Sequence, residues 1–386
     1  MAASDDAGIA YRLTPPTDEE SRVTARGVAT AVAPAGGLTD VQRVLLEALF
    51  LAMTGTEVDL HSYEPVGVEE LADHLSDRAL PFRQRGVQVM LLAALVLRPI
   101  PSDVVDRIER YADALGVDDE MIGIARRFAS GSLGLAAFDF QRNGYTSTWR
   151  PEDAEALHTS DELAEAWQAS VADPALAQRW ADLERLPSGT LGRGVWEMYR
   201  ARGFEFPGRP GSAPPLLAQH DWVHVLVEYG TTVESELEVF GFIARSNDDM
   251  RAFSLLAMAI SLFETGYLAS GAGLFESSPG HLSAGEEVAV RLADAMRRGA
   301  LSHDEVTGAD SVDYLRLDWF SIADLALDEA RDRFSIAPKS DSAIAAGSVS
   351  CWEPGGISPF QLRAGRDAAA RGGYAYESYG AAAEEG

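Results

Sequence analysis

LLAQHDWVHVLVEYGTTVESELE, residues 216–238, sets His220 and His224 four positions apart in an otherwise apolar run. With about 3.6 residues per helical turn, that spacing stacks both imidazoles on one face. Tyr229-Gly230 reads as the end of a helix over 215–229, and Thr231 with Glu234 as a capping box opening the next helix. That second helix carries Glu236 near its start. Two histidines on one helix and a carboxylate on its neighbour can converge on one divalent cation, leaving positions open for water or substrate. The alternative is a pair of core histidines bonded to carboxylates such as Asp221 and Glu236. Leu217, Val223, Leu226 and Val227 cover much of the first helix, so it is expected to be buried. Burial makes a doubly charged histidine pair costly; a metal, or neutral tautomers with fixed partners, removes that cost.

Working outward, a chain of 386 residues that is 46% hydrophobic can bury a substantial core and is long enough for two domains. A formal charge of -28 with no basic stripe argues against nucleic acid. It also disfavours electrostatic docking on anionic lipid, although a local apolar patch can still touch a membrane. The single cysteine, Cys351, excludes an internal disulfide framework, a cysteine-rich metal knuckle and a CxxC redox centre. Neither a signal-peptide pattern nor a spanning apolar run is visible, so the expected location is cytoplasmic, with peripheral membrane contact allowed.

Residues 1–36, rich in Ala, Asp, Glu, Thr, Gly and Pro, read as a flexible lead or an arm laid on the surface. Residues 38–148 read as a helical module. Thr39 and Gln42 form a capping box, Gly55 stops the first helix, 68–75 is a short one, and 85–97 is an apolar core helix closed by Arg98-Pro99. Amphipathic helices follow over 102–116 and 118–130. His61 and His74 are isolated there, and nothing in the module forms a catalytic cluster. Residues 143–160 look like a junction, with helices over 161–168 and 174–186 beyond it. LPSGTLGR, 186–193, is a glycine-containing turn whose amides could cradle phosphate, or which simply positions the next helix. After Glu236 come a long apolar helix ending near Glu264, a glycine turn at 271–273, and capping boxes at Ser283 with Glu286 and at Ser302 with Glu305. A last periodic stretch, with breaks near Asp318 and Ser321, reaches about 336. His281 and His303 stand at helix entrances. Residues 341–386 are rich in Ser, Gly, Pro and Ala and are expected to be mostly disordered. No strand pattern stands out, so the fold class is all-α.

The residues His220-Asp221-Trp222-Val223-His224, eleven more, and then Glu236 spell HDxxH-x11-E. This resembles the signature of the coenzyme Q (ubiquinone) biosynthesis family typified by the fourth Coq factor. LPSGTLGR upstream and the late RRG…DW…ARDRFSIAP also resemble that family, over about residues 175–340. The resemblance implies a domain over 160–340 with a divalent-metal site of His220, Asp221, His224 and Glu236. Zinc is the usual ion, with iron, manganese and magnesium as alternatives. It further implies an apolar groove for an isoprenoid or prenylated aromatic molecule and a place in a biosynthetic protein complex at the membrane; a homodimer is a further, separate expectation. The implied role is support of decarboxylation and hydroxylation at C1 of the ring. Asp221, rotated about 100° around the helix from His220, is then a candidate fourth ligand, an orienter of the ligands or the proton carrier. Zinc has no redox chemistry, so an oxidative step needs iron, manganese or a partner enzyme. A non-catalytic lipid-binding scaffold and a metal-dependent hydrolase are the rival readings. Over residues 40–140 the helix pattern looks like the tellurite-resistance TerB bundles, which implies an interaction module.

Overall fold

The computed structural model describes residues 14–130, 155–160, 172–247, 249, 252–265, 280, 282 and 285–382. The helix expected over 161–168, the junction at 143–154, the glycine turn at 271–273, His281 and the Ser283 cap lie outside the described residues. Among the described residues the fold is all-α. No strand forms there, and Thr190–Ala326 and Asp304–Ala309 are isolated antiparallel bridges.

Six helices come first: α1 (Asp18–Val32), α2 (Asp40–Thr54), α3 (Val68–His74), α4 (Leu80–Leu95), α5 (Ser102–Leu115) and α6 (Glu120–Ala129). The Thr39–Gln42 capping box opens α2, and Gly55 ends it in the left-handed region at φ 72°. The second half of helix α4, residues 89–95, is apolar on every side, and α1, α2, α5 and α6 surround the helix. No helix of the described residues is long and apolar enough to cross a membrane.

The expectation of a flexible lead over 1–36 fails at α1. Thr17 caps this helix by accepting a hydrogen bond from the Glu20 amide, and Ala25, Val28, Ala29, Ala31 and Val32 are buried. Small side chains let its backbone lie close to α4 and α5. The same smallness gives a weak hydrophobic pattern in the sequence.

Next come α7 (Pro174–Asp182), α8 (Leu191–Arg202), α9 (Gln219–Val227), α10 (Val233–Ser246), α11 (Phe253–Phe263) and α12 (Glu286–Leu301). Helix α10 packs against both α11 and α12. The last expected periodic stretch breaks at Asp318, whose carboxylate caps a 3-10 turn, Trp319–Ile322, before α13 (Leu327–Arg333). Ser302 and Glu305 open no helix. A turn closed by the Asp304–Ala309 bridge stands there, and Arg333 pairs with Asp304 at 3.2 Å.

The tail is a second correction. Residues 341–382 are ordered, with α14 (Asp341–Ala345) on α12 and α15 (Pro359–Gly372) on α8. Ser358 and Gln361 make a capping box, and Pro359 occupies the first turn of α15. One hydrophobic cluster runs from Ala25 in α1 to Cys351 in the tail, so the two regions expected as separate modules share a core. Helix α2 lies on α12 and α4 on α11.

Candidate metal centre

Helix α9 is shorter than the 215–229 expected, because Glu228 turns into the left-handed region at φ 65° and the Tyr229 amide closes back on the His224 carbonyl. The next helix is capped by Thr232, which accepts from the Ser235 amide, rather than by Thr231. Thr231 is engaged elsewhere: its hydroxyl donates to Gln361 and accepts from Arg202. The sharp corner between α9 and α10 turns Glu236 back toward the histidine face.

His220, Asp221 and His224 come together with their ligand atoms all within 4.8 Å of one another. Glu236 joins them: its Oε2 lies 3.3 Å from His220 Nε2 and its Oε1 3.3 Å from His224 Nε2. Asp221 Oδ1 is 3.5 Å from His220 Nε2. All four residues are buried, His224 completely. Four donors holding a tetrahedral cation at 2.0–2.2 Å lie about 3.4 Å from one another, and the observed separations match.

The hydrogen-bond pattern tells which ring nitrogens face the centre. His220 Nδ1 bonds the Leu217 carbonyl, and His224 Nδ1 bonds the Gly230 carbonyl at 2.7 Å. A carbonyl only accepts, so Nδ1 carries a proton in each ring and Nε2 faces the centre, with its lone pair free whenever the ring is neutral. His224 Nε2 and Glu236 Oε2 are buried without any hydrogen-bond partner, although each is about 3.3 Å from a group that can only accept or is poorly aligned. Lone pairs converging on a dry spot are repulsive unless a proton or a cation stands between them. The residues fit a divalent metal.

Electrostatics agrees. Burial by itself would lower the His220 pKa, but the Asp221 and Glu236 carboxylates reverse this and raise it to about 9. Burial would raise Glu236, and the His224 and His220 rings pull it down to about 2. Asp221 is pushed up, chiefly by burial. Its Oδ2 accepts a 2.5 Å hydrogen bond from the Tyr199 hydroxyl, and burial together with that carboxylate raises Tyr199 far above an ordinary phenol. The cluster thus attracts positive charge while excluding water.

Phe240, one turn beyond Glu236, stacks on the His220 ring at 5.1 Å. Trp222 lies flat on Trp319, planes 5° apart, so the DW segment buttresses the back of α9. The glycine turn before α8 is structural. Its Leu191 and Gly192 amides donate to the carbonyls of Leu325 and Ala323, which leaves them no phosphate to cradle, and a Cβ on Gly192 would sit 2.8 Å from the Ala323 side chain. Arg193 pairs with Glu197 at 2.8 Å. His61 and His74 are exposed and His303 is half-buried, and all three are far in sequence from this cluster. Glu264 caps a loop by accepting from the Leu282 amide. Tyr199 and Arg202 were not singled out in the sequence; an amphipathic WEMYRAR run carries no mark of a buried polar role.

A mostly apolar groove of about 690 Å³ runs between α2 and α12, lined by Val44, Leu51, Ala52, Ala289 and Val290 among others. None of its lining residues belongs to the histidine cluster.

No family model and no curated protein matches the chain. Among solved structures it is similar to a crystal structure from Nostoc punctiforme PCC 73102 of a protein provisionally assigned to ubiquinone biosynthesis. The identity is 17%, over 66% of this chain and 97% of that one, with a TM-score of 0.29.

Proposed function

We propose that this protein is a metal-binding protein of ubiquinone or related isoprenoid-aromatic biosynthesis. In this reading His220, His224 and Glu236, with Asp221 beside them, hold a divalent cation. The observation that carries it is that His224 Nε2 and Glu236 Oε2 are buried without hydrogen-bond partners, each 3.3 Å from another donor of the cluster, Glu236 Oε1 and His220 Nε2 respectively. Two imidazoles and two carboxylates suit zinc, iron or manganese better than magnesium. Such an ion, when bound, supplies Lewis-acid polarisation of a carboxylate or phenolate oxygen. The chain's own residues exclude water, fix both ring tautomers, and hold Asp221 by Tyr199 so that Oδ1 faces the centre as a proton carrier. The pathway rests on the HDxxH-x11-E resemblance and its flanking segments.

Elemental analysis of protein purified without an affinity tag, beside the His220→Ala/His224→Ala variant, tests the site. Near-stoichiometric zinc, iron or manganese lost in the variant supports the reading. A well-folded wild type that holds no metal even after reloading refutes it.

The second reading is a lipid-binding scaffold in which the metal only pins α9 to α10. One observation favours it: the apolar groove lies between α2 and α12, among residues other than the cluster. Asp221→Asn separates the two, because a scaffold keeps supporting product formation in a reconstituted pathway and a catalyst does not.

A further inference from the structure

The peptide unit joining Gly230 to Thr231 faces two ways. Its carbonyl accepts the Nδ1 proton of His224 at 2.7 Å, and its N–H donates to the Gly356 carbonyl at 2.9 Å. A planar trans peptide cannot rotate one end without the other. Whatever fixes the N–H therefore aims the carbonyl, and the carbonyl decides which nitrogen of His224 keeps its lone pair.

What fixes it is the segment 349–361. The Gly230 amide donates to the Val349 carbonyl at 2.9 Å. Gln361 holds Thr231 twice, donating from Nε2 to its carbonyl at 2.7 Å and accepting from its hydroxyl at 2.8 Å. Gly230 and Gly356 lie backbone to backbone; a Cβ on Gly230 would be 2.9 Å from Gly356 Cα. Arg202, fully buried in α8, locks the assembly by donating to Thr231 Oγ1 and to the Cys351 and Gly356 carbonyls, the last two at 2.9 Å each. Three hydrogen bonds thus join the backbone of the α9–α10 corner to this segment, and two more run from Arg202 to the segment's own carbonyls.

We infer that residues 349–361 are a positioning strap for the metal centre, with Gln361 and Arg202 as the residues that orient His224 through the Gly230–Thr231 peptide. The inference rests on the metal reading for its consequence, and on the peptide geometry for its existence. With the strap loosened, that peptide is free to turn. His224 then shifts its proton to Nε2, where it blocks coordination.

The test uses the full chain and zinc alone. Gln361→Leu removes both bonds to Thr231 at similar volume. Tyr374→Leu is the control: it loosens the same α8–α15 packing, where Arg200 lies 3.5 Å over the Tyr374 ring, without touching the turn. Zinc affinity by chelator competition should fall about ten- to a hundredfold in Gln361→Leu and stay at wild type in Tyr374→Leu. Nitrogen-15 spectra of the metal-free protein should show His224 moving from the Nδ1–H toward the Nε2–H tautomer. Wild-type affinity together with an unchanged tautomer overturns the strap. Should Gln361→Leu fail to fold, amide exchange in the wild type decides. Zinc should slow exchange at Gly230 and Thr231 at least about tenfold, since coupling is reciprocal, and equal rates with and without zinc overturn it. A wild type that binds no zinc refutes the metal reading alone, and the tautomer spectra still judge the strap.

Discussion

The Tyr199 hydroxyl donates to Oδ2 of Asp221 across 2.5 Å, tying α8 to α9 at a buried point. Tyr199→Phe keeps the ring and deletes the donor. A buried carboxylate oxygen left without it costs about 1–3 kcal/mol. The urea midpoint should fall accordingly, and zinc affinity should drop about tenfold because Asp221 is no longer aimed. Unchanged values for both would mean that Asp221 is held by something other than Tyr199.

Metal should stabilise the folded chain by mass action. At free zinc a hundred times the dissociation constant the gain is about 2.7 kcal/mol. Thermal melts should show a rise on adding zinc and a return on adding chelator. Glu236→Gln, which removes the charge of a carboxylate whose two oxygens each lie 3.3 Å from one histidine, should abolish the rise.

A pH signature is expected well away from the centre. The Arg78 guanidinium, hydrogen-bonded to Glu20 in a mostly buried pair, holds that carboxyl below its usual 4.5. A depressed acid contributes stability that is complete above its unfolded value and is lost as pH falls through the folded one. Wild type should therefore exceed Glu20→Gln by about 1–2 kcal/mol near neutral pH. The gap should close progressively below pH 4.5. A gap that persists at the acid end would point to packing instead of charge.

Trp222 and Trp319, both fully buried, stack at 5.8 Å. Trp319→Ala should cost about 3–5 kcal/mol, the range for an aromatic removed from a core. Denaturant titration followed by circular dichroism measures it directly. A loss below about 1 kcal/mol would mean that the site closes around the gap.

How far these features could be read in advance differs by residue. His220, His224 and Glu236 were legible because helical spacing and one turn signal bring them to a common side. The Thr39–Gln42 box was legible because its chemistry is local. The α9–α10 corner was misplaced by one residue: Thr231 and Thr232 are chemically alike, and only long-range bonds from Arg202 and Gln361 claim Thr231. Helix α1 was missed because Ala and Gly bury themselves without a strong apolar stripe, although Thr17 and Glu20 had the spacing of a cap. The ordered tail was missed for a related reason. Ser358, Pro359 and Gln361 formed an opening signal, but the Ala-, Gly- and Arg-rich run after it resembles linker composition until Arg202 is known to wait beneath it.

The contact of α2 with α12 has an evolutionary reading. Ala48 meets Ala289 and Ala293 across that seam, with Val44 and Ala52 at its edge, so the outer face of α12 is itself interior surface. Any ancestor or engineered derivative lacking the first helices would have presented that face to water. Acquiring or discarding the amino-terminal helices therefore demands a recolouring of this face of α12 from alanine to polar residues. Relatives without the first helices should carry Lys, Glu or Gln at the positions of Ala289 and Ala293, which an alignment of such chains can check.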